Sequence, residues 1–179
     1  DRRLVLLVAI ALQVQAAVFA PPLGVPFRVV TQRVQDDQSG HHRFRVERLV
    51  RFARDGLGYR AEVRVLQAEA DPSAESSAMF QAGYSGLTGR TIVFRLDRAG
   101  TVVEIDDRAA IWAAFCDGIA AIVAGRRRGT EAERTALARR ISAPLRALPA
   151  ARQIETLGSL VEVLIAREAS EPHGARAVR

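Results

Sequence analysis

The sequence predicts an α+β fold: an antiparallel β-meander of about five strands, with two or three C-terminal amphipathic helices packed on one face. Between residues 27 and 106, apolar and polar side chains alternate with a period of two, which is typical of strands with one solvated face. After residue 107 the apolar residues recur with a period near 3.6, which is typical of helices. A block of strands followed by a block of helices is the order found in α+β domains.

Turn signals divide the first part of the chain into strands. Residues 27–35 are β-rich and end at the turn cluster DDQSG, and residues 42–54 form a second strand that ends at DGLG. Residues 59–70 alternate most clearly. Residues 71–89 are rich in Ser, Ala and Gly, and we expect a loop with one short helix there. Residues 90–107 read as two strands around a short turn.

Two positions in these strands have special roles. In the second strand Arg48 falls on the apolar face and Leu49 on the polar face, so we expect a β-bulge at that point. In the last hairpin, Gly100 of the DRAG turn can take the positive φ that closes a short connection. The polar faces of the strands carry Arg and Glu, which can pair across neighbouring strands.

The first predicted helix has one broad apolar face. Asp106 or Asp107 is its expected N-cap, and Gly125 is the residue expected to end it. Its apolar face is formed by Ile111, Trp112, Phe115, Ile119, Ile122 and Val123.

Two more helices follow. The second begins with a capping box, Thr130 and Glu133, and Pro144 is expected to end or kink it. The third starts near Pro149 and places one apolar stripe along its length, formed by Ile154, Leu157, Leu160, Val161, Leu164 and Ile165.

The N-terminal stretch indicates export. Arg2 and Arg3 precede an apolar run at residues 4–12, and small residues follow, which is the pattern of a secretory signal peptide. We expect cleavage near Ala17, and therefore a secreted or periplasmic protein. An uncleaved membrane anchor and a buried core helix are the alternatives. No later segment reads as long and apolar enough to span a membrane.

The predicted organisation is one domain between two flanking segments. Residues 1–17 are assigned to the signal peptide and residues 18–26 to a proline-rich lead-in. Residues 27–168 form a single α+β domain, with the sheet at 27–106 and the helices at 107–168. Residues 169–179 form a flexible tail.

Composition narrows the partners. All 26 basic residues are Arg, Lys and Asn are both missing, and the net charge is +6. Lys and Asn have A-rich codons, so a GC-rich genome explains this bias without a selected anion-binding surface. The chain has no nucleic-acid motif, so we expect no nucleic-acid partner.

The residues that carry chemistry in other proteins do not form a set here. Cys116, the single cysteine, falls on the apolar face of the first helix, which predicts a buried, inert thiol. His41 and His42 are strand neighbours that point to opposite faces, and His173 lies in the tail, so no metal spacing appears. We therefore expect no metal, no cofactor and no enzymatic activity.

The apolar sheet face and the apolar helix stripes can either meet in a solid core or part around a pocket. A pocket would be lined by Phe44, Tyr59, Phe94, Trp112, Phe115 and Leu160. Three arginines at a helix end, Arg126, Arg127 and Arg128, are candidates to hold an acidic head group at its rim.

Three functions fit this pattern. The first is a non-enzymatic protein that binds an apolar or acidic lipid-like ligand between sheet and helices. The second is a structural or interaction protein of the cell envelope, with a filled core and another envelope protein as its partner. An enzyme of unknown type is the third.

The pattern LD-x-x-G-x-V-V, here residues 96–103, resembles hairpins of uncharacterised secreted or periplasmic proteins from GC-rich bacteria. Those proteins share a signal peptide, a β-meander and a helical C-terminus. The hairpin is also similar to those of periplasmic lipoprotein carriers, which implies a curved antiparallel sheet that holds acyl chains beneath helices. This chain departs from the carriers by placing its helices in one C-terminal block, and no functional residue is carried over.

Overall fold

The computed structural model describes residues 18–37, 40–70, 82–126 and 128–170, without the side chains of 33, 35–37, 40–42, 70, 126, 163 and 165–170. The strands are β1 (Phe27–Asp37), β2 (Gly40–Asp55), β3 (Gly58–Ala70), β4 (Thr91–Leu96) and β5 (Val102–Ile105), and the helices are α1 (Arg108–Arg126), α2 (Glu131–Arg146) and α3 (Ala150–Ser170). The strands form one antiparallel sheet in the order β1-β2-β3-β4-β5. The predicted meander and its block of C-terminal helices are confirmed. The proposed signal peptide and most of the predicted tail lie outside the described residues.

A bulge interrupts the pairing of β2 with β3, as expected, but its extra residue lies on the other strand. Glu47 pairs with Gln67 and Arg48 pairs with Val65, so Leu66 of β3 is the residue without an opposite partner. Strand β2 therefore keeps its alternation through the bulge. For this reason Arg48 stays on the core face of the sheet and is not turned out to solvent.

Helix α1 lies at the centre of the helical layer. Trp112, Phe115 and Ile119 are buried in the same apolar cluster as the core face of the sheet. The indole Nε1 of Trp112 donates to the carbonyl oxygen of Leu145 at 2.9 Å, which ties α1 to the end of α2. Helix α3 lies against β3 and β5.

Of the two residues expected to cap α1, Asp107 occupies the N-cap position and accepts the first helical bonds through its backbone carbonyl, whereas the carboxylate of Asp106 pairs with Arg95 at 2.8 Å. The helix ends differ from expectation at two other points. Gly125 does not end α1, which continues to Arg126. Helix α2 runs two residues past Pro144, since a proline in the last turn removes only one hydrogen bond near an end that frays in any case.

The capping box of α2 is confirmed. The backbone N–H of Thr130 donates to Oε2 of Glu133 at 2.8 Å, and the N–H of Glu133 donates to Oγ1 of Thr130 at 3.3 Å. The backbone N–H of Thr130, and after it the Thr130 hydroxyl, which donates to Oε2 of Glu133 at 3.0 Å, hold the pKa of Glu133 below its usual range.

Residues 82–89 form a helical turn that packs directly on α1. Gly86 and Gly118 lie backbone to backbone, because a Cβ on Gly118 would stand 2.7 Å from the nitrogen of Gly86. Gly83 approaches the ring of Phe115 closely enough that a Cβ would stand 2.4 Å from it. The glycines of this segment therefore serve close packing.

The segment before β1 contributes to the core. The ring of Phe19 packs edge-on against Phe52 and Tyr59, with centroids 5.9 and 5.1 Å apart. The Tyr59 hydroxyl donates to the carbonyl oxygen of Phe19 at 3.2 Å. The packed fold thus reaches back to residue 19, beyond the boundary expected at residue 27.

One helix in the described part of the chain is long and apolar enough to cross a membrane by length and composition alone. It covers Arg108–Gly125, with a mean hydropathy of 1.4. This corrects the expectation that no later segment would pass that test. Core helices pass it too, and Trp112, Phe115 and Ile119 lie buried against the rest of the protein.

Candidate functional site

The six apolar side chains expected to line a pocket are all buried. Their exposed fractions run from 0 to 5%, and five of them belong to one core cluster, while Phe44 is buried outside it. Trp112 stacks on Phe115 with ring centroids 5.1 Å apart, and Phe115 meets the edge of Tyr84 at 5.4 Å. These ring contacts pack α1 against the 82–89 turn, so the rings are occupied by one another.

The three arginines expected at a pocket rim are only partly described. Arg128 is exposed in the connection between α1 and α2. Arg127 and the side chain of Arg126 lie outside the described residues. Nothing in the described part of the structure brings Arg128 to the six buried side chains.

A different arginine lies inside the protein. Arg48 is 1% exposed, and its neighbours across the sheet are Val29 on β1 and Val65 on β3. One guanidinium nitrogen donates to Oγ1 of Thr31 at 2.9 Å, while Nε is buried with no hydrogen-bond acceptor among the described residues. No carboxylate of the described residues pairs with it. Burial lowers the pKa of Arg48, and the nearby Tyr84 acts in the opposite direction.

Polar groups of two other elements gather on the same side of the sheet. Tyr84, whose hydroxyl lies 2.5 Å from Oγ of Ser159 on α3, interacts electrostatically with Arg48. That hydroxyl also donates to the carbonyl oxygen of Thr156 at 3.3 Å. Arg48, Tyr84 and Ser159, which we call the Arg48 cluster, therefore link the sheet, the 82–89 turn and the last helix.

The second buried charge of β2 is in the opposite situation. Glu47 is 3% exposed but lies on the outer face of the sheet, where it pairs with Arg28 and with Arg45. The Arg45 contact measures 3.0 Å. Glu47 is thus a charge shielded by its own partners, whereas the hydrogen-bond acceptor of Arg48 among the described residues is the neutral hydroxyl of Thr31.

The β-bulge expected at Arg48 is present, but its extra residue lies on β3. Arg48 was not among the site residues expected from the sequence. The signal that could single it out is the uninterrupted alternation of β2 from Phe44 to Phe52, with a cation among the apolar residues.

The thiol of Cys116 lies in the interior of the protein. Cys116 is fully buried, and burial raises the pKa of its thiol, with Arg146 acting in the opposite direction. Within the described ranges, no group of three His, Cys, Asp or Glu side chains is placed to hold a metal ion.

A groove of about 540 Å³ runs between α1 and α2. Its floor is made of small residues, chiefly Ala120, Ala124, Ala138 and Ser142, and the ion pair of Arg146 with Asp117 crosses it. These small side chains let α1 and α2 lie close together, and we attribute the groove to the packing of these two helices.

Comparisons with protein-family models, with curated proteins and with solved structures found no match to this chain. The Arg48 cluster is therefore the candidate functional site.

Proposed function

We propose that this protein is a non-enzymatic protein of the cell envelope, secreted or periplasmic, that binds an acidic amphiphile between its sheet and its helices. The anionic head group is held by the guanidinium of Arg48. The observation that carries this proposal is a buried guanidinium with no carboxylate partner among the described residues and with an unused Nε donor.

A buried charge without a partner of opposite charge destabilises the folded protein. Removing an ion from water is unfavourable by several kcal/mol even after the protein relaxes, unless a partner of opposite charge is present. Arginine stays protonated at any physiological pH, so Arg48 cannot escape this cost by losing its proton. A carboxylate or phosphate would accept from the unused Nε and complete a charge-assisted pair.

The apolar residues beside Arg48 favour an apolar chain as the remainder of the ligand. Phe44, Val46 and Val65 lie on the same sheet face as Arg48 and are buried. An acyl chain attached to the acid would meet these apolar side chains if it entered beside Arg48, whereas a free inorganic anion would make no use of them. A fatty acid is the simplest probe with both features.

The test compares two probes with the same chain. Palmitate should bind saturably, change Trp112 fluorescence and raise the melting temperature, because a ligand that binds only the folded state stabilises it. Hexadecanol has the same chain length but no charge, and should bind much more weakly. The variant Arg48→Met should lose the preference for palmitate over hexadecanol.

Arg51→Met is the matched control, because Arg51 lies on the same strand with an exposed side chain on the outer face. It should bind palmitate as the unaltered protein does. Equal binding of palmitate by the Arg48→Met variant would overturn the proposal. Another result would overturn it: a melting temperature that falls in Asp71→Asn or Glu75→Gln, but does not fall when Arg48→Met is already present. Arg48 would then have its partner within the chain.

A structural or interaction protein with a filled core is the second candidate function. It is favoured by the burial of all six residues expected to line a pocket. In that case neither probe changes fluorescence or melting temperature, and Arg48→Met alters stability alone.

A further inference from the structure

Exposed apolar side chains concentrate at one end of the sheet. Seven large apolar residues of the described chain are exposed, and four of them belong to this end: Val18, Leu23, Val25 and Leu57. Val18 is 86% exposed and Leu57 is 79% exposed. The other three are Val30 and Val34 on β1 and Val103 on β5.

Backbone contacts bring the four residues to the same place. The N–H of Gly24 donates to the carbonyl oxygen of Phe52 at 2.8 Å, and Leu23 forms a bridge to Phe52. Phe19 is fixed on Phe52 and Tyr59. Leu57 lies at the tip of the hairpin between β2 and β3, two residues before Tyr59. We call Val18, Leu23, Val25 and Leu57 the apolar tip.

The chain that precedes the apolar tip is itself apolar. Residues 4–12 form the unbroken apolar run, and six peptide steps separate Leu12 from Val18. A chain extends at most about 3.6 Å per residue, so these six steps can span no more than about 22 Å. If the run stays in a bilayer as an anchor, the apolar tip is held near that bilayer.

Two exposed arginines lie at the same end of the sheet as the apolar tip, and the two nearest acids already have partners. The guanidinium of Arg54 lies 4.6 Å from the centre of the Tyr59 ring, and Arg98 is exposed in the neighbouring hairpin at the same end. Asp55 pairs with Arg95 at 3.3 Å, and Asp97 accepts backbone N–H groups of its own turn. Apolar side chains among unopposed arginines suit an anionic phospholipid surface.

We infer that the apolar tip docks on the surface of an anionic phospholipid bilayer, with Leu57 and Val25 entering the head-group region. The strands then stand away from the membrane, and the Arg48 cluster lies on the core face behind the docked end.

The single buried cysteine makes a direct test possible. In the full chain, Leu57→Cys and Val25→Cys can each be labelled with the environment-sensitive fluorophore NBD while Cys116 stays protected. Vesicles of phosphatidylglycerol and phosphatidylethanolamine should shift NBD emission at both positions to the blue. Val103→Cys is the matched control, an exposed valine on β5, and should show no shift.

A second variant tests affinity. Leu57→Glu should weaken binding of the full chain to these vesicles by about tenfold or more, as expected from losing one buried leucine side chain. Val103→Glu should leave binding unchanged. Equal shifts at positions 57 and 103, or no shift at 57 while the protein binds vesicles, would overturn the inference. A shift at 57 that needs protein concentration and no vesicles would overturn it too, in favour of a second copy of this chain.

Discussion

Strands β3 to β5 and strands β1 and β2 share one sheet, but their buried side chains differ in kind. The apolar half consists of β3 to β5 with the helices, and its buried contacts join aliphatic and aromatic groups such as Phe94, Phe115 and Leu160. The charged half consists of β1 and β2, where Arg48 and Glu47 are buried as well. The apolar half has what a stable fold needs, whereas the charged half keeps a group that stability alone does not explain.

The largest effect is expected in the apolar half. Trp112→Ala should lower the free energy of unfolding by about 3–5 kcal/mol, since it removes a buried ring and the hydrogen bond to Leu145. Trp112→Phe keeps the ring and should lose less. Urea denaturation of both variants measures the difference. A loss under 1 kcal/mol for Trp112→Ala would mean that the helices do not rest on a filled core.

Substitution of Arg48 in the charged half should not lower the free energy of unfolding. Without ligand, Arg48→Met should leave stability unchanged or raise it by about 1–4 kcal/mol, because it replaces a buried unpaired cation by an apolar chain of similar length. Thr31→Val should destabilise by about 1–3 kcal/mol, because Arg48 then loses its hydroxyl acceptor. If Arg48→Met destabilised the protein as strongly as Trp112→Ala, the distinction between the two halves would fail.

The contact between the 82–89 turn and α1 gives a smaller effect with a matched control. Gly118→Ala should destabilise by about 1–3 kcal/mol, because its Cβ would press on the backbone of Gly86. Gly125→Ala on the same helix meets open space and should stabilise by about 0.5–1 kcal/mol, as alanine is the better helix former. Thermal melts of the pair test whether close backbone packing holds the turn in place.

The smallest effect concerns α2 and pH. The folded protein holds the pKa of Glu133 below its unfolded value of about 4.3, so the capping box stabilises above that value and is lost as pH falls through the folded pKa. Glu133→Gln keeps a capping side chain but should flatten the pH dependence of stability below about pH 5. Thr130→Ala, which removes the hydroxyl partner, should flatten it as well. If stability depended on pH as steeply in both variants as in the unaltered protein, Glu133 would not be the group responsible.

Local patterns were sufficient for most of the architecture. The strands, the hairpin closed by Gly100 with its φ of 86°, and the capping box of Thr130 follow from neighbours in sequence, and each is observed. The end of α1 was missed, because Gly125 fits inside a helix as well as after one. The core contribution of Phe19 was also missed, since nothing near it in sequence indicates contact with Tyr59.

The sequence by itself determined the order of strands and helices and the face of each element that is buried, because periodicity and turn chemistry act over a few residues. The tertiary structure alone decided the identity of the candidate site. Whether Arg48 faces the core depends on which of two paired strands holds the extra residue, and that residue is Leu66, some twenty positions along the chain. Pairing register and the packing of Tyr84 and Ser159 beside Arg48 are long-range properties, and no local pattern encodes them.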